Sequence, residues 1–259
     1  AVPGEPPKGT QYMKKILLGA VAALAIAAPG VASAQSGYVD LGFANADAGA
    51  TDIDTTQIGG AYAWGGNGTV GFQVDGVIGT HEYDSGGEVD TYNFGGHAFV
   101  RNDSHLIGGF VNFGNTDFDV FDYGYYTLGA EGAIYLNRTT LNGTLSWSDS
   151  EDLDTSLTAV DLGLTHFVTD NFSIGANAGF GEIDGGGDFS GFGIGGEYQF
   201  ASFPVSLYGG WNTTDFDGFE VDALTFGVRY NFGGTLLERD RSGASQSRNA
   251  GFGRLGGVL

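Results

Sequence analysis

The chain contains no cysteine, and its three lysines, at positions 8, 14 and 15, all precede residue 16. The missing thiols exclude a disulfide framework and any metal site built on thiolates. Acidic residues outnumber basic ones by 31 to 10, which gives a formal net charge of −21 over 259 residues. This balance excludes nucleic acid as a partner, because binding to phosphates requires the opposite charge.

Long apolar runs are also scarce, and the only one lies near the beginning of the chain, at residues 16–28. It is too short to cross a bilayer. Met13-Lys14-Lys15 precede it, and the small residues Ala32-Ser33-Ala34 follow it. This order predicts a secretory signal peptide at residues 13–34, in preference to a buried N-terminal helix. We interpret residues 1–12 as an upstream extension or misassigned start and exclude them from the fold.

The remaining sequence alternates between apolar and polar residues with a period of two. Between Gly37 and Phe232 we distinguish twelve strand-like runs. In the first run Val39, Leu41 and Phe43 share one face, and Tyr38 and Asp40 share the other. Such alternation is typical of antiparallel strands with two different faces. The 48 glycines follow no three-residue period, which excludes a collagen-like chain.

Two architectures fit this alternation, a soluble sandwich and a membrane barrel. The runs reach about ten residues, enough to cross a bilayer when tilted, and their polar face is rich in Gly, Asn, Thr and Ser. Aromatic residues near the strand ends suggest two interfacial girdles, Trp64, Phe99, Tyr135, Phe167, Phe200 and Phe203 at one end and Tyr83, Phe118, Tyr123, Trp147, Phe189 and Trp211 at the other. We therefore predict an all-β fold for residues 35–233, a closed antiparallel up-and-down transmembrane β-barrel of twelve strands, with ten or eight as alternatives.

The breaks between runs are of two kinds. Those after even-numbered runs are short and nearly neutral, with Gly, Asn and Asp suited to turns. Those after odd-numbered runs are acidic, so we predict short periplasmic turns and acidic extracellular loops. The acidic breaks contain D-x-D pairs at Asp52/Asp54, Asp117/Asp119, Asp152/Asp154 and Asp215/Asp217. Carboxylates at this spacing could hold a weakly bound Ca²⁺ or Mg²⁺. The alternative is a hydrated anionic rim, and no other cofactor is predicted.

The period of two also assigns polar residues to the lumen of the predicted barrel: Asp40, Asp75, Glu131, Asp161, Glu197, Gln73, His97, Arg101 and Arg229. Five acids against two arginines predict a passage that prefers cations. The alternative is a closed barrel that these groups brace by pairing. None of the four histidines has a neighbouring nucleophile at a recognisable spacing, so we predict that the chain is not an enzyme.

Two segments carry a resemblance to known proteins. One is the strand Gly37–Phe43 directly after the signal peptide, and the other is the run 223–232, which has apolar or aromatic residues at Phe226, Val228, Tyr230 and Phe232. Together they resemble Gram-negative outer-membrane β-barrels of the porin-like family. The resemblance implies an outer-membrane location, contact with lipid and lipopolysaccharide, and a β-signal at those four residues for the barrel-assembly machinery. It also implies passive diffusion of small hydrophilic solutes, with a non-conducting structural or adhesion barrel as the alternative, and it leaves the oligomeric state open.

The end of the chain has a different composition. Residues 234–259 contain four arginines, at positions 239, 241, 248 and 254, and show no β alternation. We predict a disordered periplasmic tail. The alternatives are a plug that enters the acidic lumen and a contact with the cell wall or a partner.

Overall fold

Twelve antiparallel strands form a closed barrel in the computed structural model, which describes residues 35–66, 68–118 and 120–245. The strands are β1 (Gln35–Asp47), β2 (Asp52–Gly65), β3 (Val70–Tyr83), β4 (Glu88–Arg101), β5 (His105–Phe118), β6 (Phe121–Leu136), β7 (Thr139–Ser150), β8 (Thr155–Thr169), β9 (Phe172–Ile183), β10 (Gly187–Gln199), β11 (Val205–Phe216) and β12 (Phe219–Phe232). A helix, α1 (Leu236–Ser242), follows them. The predicted barrel of twelve strands is confirmed, and the alternatives of ten and eight are wrong. The predicted extension and signal peptide lie outside the described residues.

The barrel closes between its first and last strands. β1 pairs with β2 on one side and with β12 on the other, in a register that sets Gly37 opposite Phe232 and Asp40 opposite Arg229. The strands are 12 to 16 residues long. This exceeds the roughly 9–11 residues that a tilted strand needs to cross a bilayer. Part of the wall therefore extends beyond the hydrocarbon thickness.

The connections at the two ends of the barrel are similar in length. We call the end with the connections 66–69, 102–104, 137–138, 170–171 and 200–204 the turn end, and the opposite end the loop end. The acidic connections at the loop end span two to four residues, so the connections at both ends are short. The strands continue through most of the acidic positions, because alternating acids can point to water from the outer face of a strand. At one tight hairpin Asp217 and Gly218 adopt φ values of 53° and 91°, as a two-residue turn requires.

Large apolar side chains cover the middle of the outer wall. Exposed members of this apolar band come from every strand and include Leu41, Ile58, Phe72, Phe94, Ile107, Leu128, Leu145, Leu162, Phe180, Ile194, Leu207 and Phe226. Polar residues and glycines alternate with them and face inward. This is the arrangement of a barrel whose outer surface meets lipid. Among the residues that the structure describes, no helix is long and apolar enough to span a membrane.

The alternation reverses near the loop end. In the middle of β2, Ile58 is exposed on the outer wall and Gly59 faces inward. At the start of the same strand Ile53 is buried inside, while Asp52 and Asp54 are exposed outside. The wall near the loop end thus resembles that of a soluble barrel, with apolar residues inside and charges outside. The predicted acidic rim therefore belongs to the outer surface of the strands more than to the loops.

Part of the predicted aromatic girdles also lies inside. Phe99, Tyr135, Phe167 and Phe189 are buried within the barrel. These four residues occupy odd positions of β4, β6, β8 and β10, the positions that face inward in those strands. The alternation therefore places these four rings inside the barrel, and their assignment to the interfacial girdles is wrong.

Candidate functional site: the barrel interior

All nine residues that the sequence assigns to the lumen lie on the inner face of the wall, but they do not line one continuous passage. Seven of them form two clusters, one lines a cavity, and one lies at the turn end. Gln73, Asp75, His97 and Glu131 come together on β3, β4 and β6, and Asp40, Glu197 and Arg229 come together on β1, β10 and β12. Asp161 lies apart on β8, and Arg101 lies at the turn end of β4.

The first cluster centres on His97. Its Nε2 lies 2.9 Å from Asp75 Oδ2, and its Nδ1 lies 3.0 Å from Glu131 Oε2. Gln73 Nε2 donates to the same oxygen of Asp75 at 2.9 Å, and the imidazole stacks on Phe110. An imidazolium at this position offsets one of the two carboxylate charges. Because these side chains are almost fully buried, the cluster braces the wall and does not face a water path.

The second cluster centres on Arg229. Its guanidinium donates to Asp40 Oδ2 at 2.8 Å and to Glu197 Oε2 at 2.7 Å. The rings of Tyr38 and Tyr208 lie on it, with centroids 4.1 and 4.9 Å from its central carbon. One cation thus joins β1, β10 and β12 next to the closure of the barrel. The sequence predicts these three charged residues in the lumen but does not predict their pairing.

The interior is divided into a packed half and an open half. On the side of β3–β7, Gln73, Asn112 and Thr127 have no solvent-exposed surface. On the other side a cavity of about 540 Å³ lies mainly along β7–β12. Its polar lining consists of Thr55, Gln57, Asn142, Thr144, Asp161, Thr165, Asn177, Tyr208, Asn212 and Thr225. Among these, Asp161 carries the only formal charge, and it accepts a hydrogen bond from Thr144 at 3.2 Å.

An apolar layer closes the interior at the loop end. Two groups of buried side chains form it, Ala46, Ala48, Ile53, Val221 and Ala223 on one side and Tyr125, Leu157, Ala159 and Phe189 on the other. Phe216 packs against both groups and joins them. Ile53 is 6% exposed and Leu157 0%, so water does not reach these side chains. A hydrophobic constriction of this kind blocks ions by excluding water.

Residues 235–245, which we call the lid segment, close the turn end. Its helix α1 begins with a capping box, in which Thr235 Oγ1 accepts from the Glu238 backbone N–H and Glu238 Oε2 accepts from the Thr235 backbone N–H. The prediction of a disordered tail is therefore wrong for this part of the chain. Residues 246–259 lie outside the described residues.

The lid segment contacts strands on opposite sides of the mouth. Arg239 Nη2 lies 3.5 Å from Glu197 Oε1, and Asp240 accepts a hydrogen bond from Thr140. Arg101 donates to the carbonyl of Gly243 at 2.9 Å. These contacts reach β10, β7 and β4, so the segment spans the opening. Burial raises the pKa of Asp240 and lowers the pKa of Arg239, with Thr140 and Glu197 respectively opposing the shift.

Most acids of the loop end form a belt on the outer wall, directly outside the apolar layer. This acid belt comprises Asp47, Asp52, Asp54, Glu82, Glu88, Asp90, Asp117, Asp122, Asp149, Glu182, Asp188, Asp215, Glu220 and Asp222. Several members face each other directly across strands, including Asp47 with Asp52 and with Asp222. Like charges in this position repel each other and destabilise the strand pairing.

The D-x-D pairs are distributed between this belt and the hairpins. Asp152 Oδ2 accepts from the Gly124 N–H at 2.8 Å, and Asp215 Oδ1 accepts from the Gly218 N–H at 3.1 Å. Asp154 and Asp217 occupy turn positions with positive φ. Asp119 lies outside the described residues. Within the described residues no group of three or more metal-binding side chains is present, and a divalent cation at the D-x-D pairs remains a prediction.

We expect salt to stabilise the barrel through the acid belt. Replacing Asp117, which faces both Asp90 and Asp122, by Asn removes two repulsive pairs. We expect the free energy of unfolding to rise by about 0.2–1 kcal/mol for each pair at low ionic strength. The gain should shrink in ~0.5 M NaCl, where screening weakens the repulsion. Urea unfolding at the two salt concentrations measures this, and an equal gain at both would contradict the electrostatic cause.

The four residues of the predicted β-signal lie along β12. Phe226, Val228 and Tyr230 are exposed on the outer wall, and Phe226 stacks on Phe43 of β1 with ring centroids 5.4 Å apart. Phe232 is partly buried and pairs with Gly37. The signal residues thus occupy the seam where the last strand meets the first. A role in recognition by the assembly machinery remains a prediction.

Solved structures with the same architecture are known, although no family model and no curated protein matches the sequence. The KdgM porin has a TM-score of 0.59 at 8% identity, covering 76% of this chain and 99% of that chain. The fold is that of an outer-membrane β-barrel. The NanC porin has a TM-score of 0.58 at 7% identity, covering 74% of this chain and 98% of that chain. The translocator domain of the autotransporter NalP from Neisseria meningitidis has a TM-score of 0.53 at 12% identity, covering 86% of this chain and 97% of that chain.

These similarities confirm the predicted fold and accord with an outer-membrane location. At such low identity they establish the architecture alone. Sequence reasoning gave a plug in the lumen only as an alternative, and it missed the ordered lid segment with Arg239, Asp240 and their partner Thr140. The signal for it was present, because Thr235 and Glu238 have the spacing of a capping box.

Proposed function

We propose that this outer-membrane barrel passes small hydrophilic solutes by passive diffusion, with a preference for cations, and that the structure represents its closed state. The observation that supports this is the water-accessible cavity along β7–β12, whose polar lining contains Asp161 and, among the described residues, no arginine. An acid in such a lining attracts cations and repels anions. The chemistry needs no catalytic group, so we propose a non-enzymatic function.

The path of the solute follows from the division of the interior. Asp75 and Glu131 lie in the packed half and are bound to His97, so they do not contribute to selectivity. Asp161 is partly exposed on the cavity wall, and Glu197 lies below the cavity, at the lid segment. The turn end faces the periplasm in this proposal, because an even number of strands brings both ends of the barrel domain to one side.

The second candidate is a structural barrel that does not conduct. The packing of β3–β7 and the apolar layer favour it, since both exclude water from the interior. The acid belt would then serve only to keep the outer surface hydrated. The two candidates differ in whether the lid segment and the apolar layer ever open.

Planar-bilayer recording with Asp161→Asn distinguishes the candidates. We expect conductance steps with a cation preference for the native chain, and a cation-to-anion permeability ratio lowered about two- to tenfold by the loss of this charge. Glu131→Gln serves as the control and should leave the ratio unchanged, because this side chain is 4% exposed and turned to His97. Anion preference, or an absence of steps in the native chain and in variants that release the lid segment, would overturn the proposed passage.

A further inference from the structure

We propose that the turn-end mouth is a binding site for a short arginine-bearing peptide segment, which the lid segment of the same chain occupies in the structure. This inference goes beyond passive diffusion, because it assigns a ligand class to a part of the barrel that the solute path does not require. It rests on contacts in which the mouth supplies acceptors for the arginines of the segment and donors for its oxygens.

The mouth presents hydrogen-bond acceptors to the basic groups of the segment. The carbonyls of Asn137 and Thr139 accept from Arg241 Nη2 at 2.9 and 3.3 Å. The Glu197 carboxylate faces Arg239, and the ring of Tyr135 lies under the Arg241 guanidinium, with its centroid 4.6 Å away. Acceptor oxygens together with an aromatic face are the partners that a guanidinium prefers.

The mouth also presents donors to the oxygens of the segment. Gln199 Nε2 donates at 3.0 Å to the carbonyl of Gly234, the residue that directly precedes the segment. Arg101 Nη2 donates to the Gly243 carbonyl at 2.9 Å and to Ser245 Oγ at 3.1 Å. Oxygens just before the segment and at its end are thus bound by barrel side chains, as in other sites that hold peptides.

The end of the segment fits only small residues. A Cβ atom on Gly243 would overlap with Ser36 Oγ and lie 2.8 Å from Ser36 Cβ, so a larger residue would fit only if Ser36 shifted. Ala244 is buried against Tyr38, Ala61 and Ala63. The site therefore specifies a pattern, a capped helical turn with two arginines followed by Gly-Ala.

The link between the barrel and the lid segment would allow the segment to dissociate and rebind. Gly233 and Gly234 both adopt positive φ, at 80° and 71°, and form a short tether after β12. Residues joined by such a tether rebind at a high effective concentration. Because the contacts are mainly hydrogen bonds and ion pairs at the mouth, the segment can leave while the strand ladder stays intact. Its release would open the cavity toward the turn end.

The first experiment measures access to the cavity in the full chain. Thr165 lines both the cavity and the pocket below the lid segment, and the described residues contain no cysteine, so Thr165→Cys provides a single thiol. We expect Arg239→Ala with Arg241→Ala to speed its reaction with a charged methanethiosulfonate by about tenfold or more, because charge-assisted bonds to the mouth are lost. Arg138→Ala is the control. Arg138 pairs with Asp170, so this variant should leave the rate of the thiol reaction unchanged. Equal rates in all variants would overturn the proposal.

The second experiment tests binding of a separate peptide to the Thr165→Cys variant. A protease site inserted between Gly233 and Gly234 allows the full chain to fold before the link is cut, and heat-modifiable gel mobility verifies the barrel. After dilution we expect the introduced thiol to become reactive, and a synthetic peptide of residues 235–245 to restore protection saturably below ~1 mM. A peptide of the same composition in scrambled order should not protect. Failure of the native peptide, or equal protection by the scrambled one, would overturn the binding site. Since neither experiment uses conductance, this result is independent of the proposed passage.

Discussion

Replacing Arg229 by Met is expected to lower the free energy of unfolding by about 3–5 kcal/mol, the cost of leaving buried charges without their partner. Arg229 is 17% exposed, and its partners Asp40 and Glu197 are 0% and 16% exposed. Without the guanidinium the two carboxylates face each other across the closure of the barrel. Reversible urea unfolding in lipid vesicles or detergent micelles measures the loss.

Two further variants make this expectation specific. Arg138→Met removes an arginine whose pair with Asp170 is exposed, at 34% and 60%, and whose Nε donates to the carbonyl of Phe167 at 2.6 Å, and it should cost about 1–2 kcal/mol. Combining Asp40→Asn with Arg229→Met also removes one of the two carboxylate charges that lost the guanidinium, and it should recover part of the stability. If Arg229→Met and Arg138→Met were equally mild, the buried cluster would not hold the closure together.

Replacing Gly227 by Val is expected to prevent stable closure of the barrel. A Cβ atom at this position would clash with the ring of Tyr208 and would lie 2.5 Å from the carbonyl oxygen of Leu41. The ring is held against Arg229, and the carbonyl belongs to the neighbouring strand, so neither can move away easily. Overpacking of this kind costs about 1–3 kcal/mol or more. We expect loss of the heat-modifiable band in gels of the refolded protein.

Gly96 provides the matched control. It lies in the middle of β4, and a Cβ atom there would meet no other atom within 4 Å. Gly96→Val should therefore change the free energy of unfolding by no more than about 0.5 kcal/mol. If both valine variants folded equally well, close packing around Tyr208 would not explain the glycine at position 227.

The sequence predicts the barrel because its period of two is regular along most of the chain. It also places the nine candidate lumen residues on one face, since the alternation of faces continues from end to end of each strand. It does not predict which of them meet. Asp75, His97 and Glu131 are far apart in the chain, and only the register of β3 to β6 brings them together.

The reversal of polarity at the loop end escaped prediction for a different reason. Residues such as Ile53 and Asp54 obey the alternation. Here, however, the apolar residue lies on the inner face and the charged residue on the outer face, the reverse of the middle of the barrel. A sequence pattern defines two faces without stating which solvent each one meets. For the lid segment we predicted disorder in preference to a plug, because arginines and glycines in a terminal stretch suggest disorder. The partners that order it, such as Thr140 and Glu197, lie on distant strands.

The acid belt has a consequence for how the barrel sits in the membrane. A carboxylate at the centre of the hydrocarbon costs about 2.5–3.5 kcal/mol, and the belt surrounds most of the circumference. Sinking the barrel by a single residue step, roughly 3.4 Å, would push several acids toward the acyl chains at once. Rising by the same step would expose the apolar band to water. The boundary between the acid belt and the apolar band therefore fixes both the depth and the tilt of the barrel in the membrane.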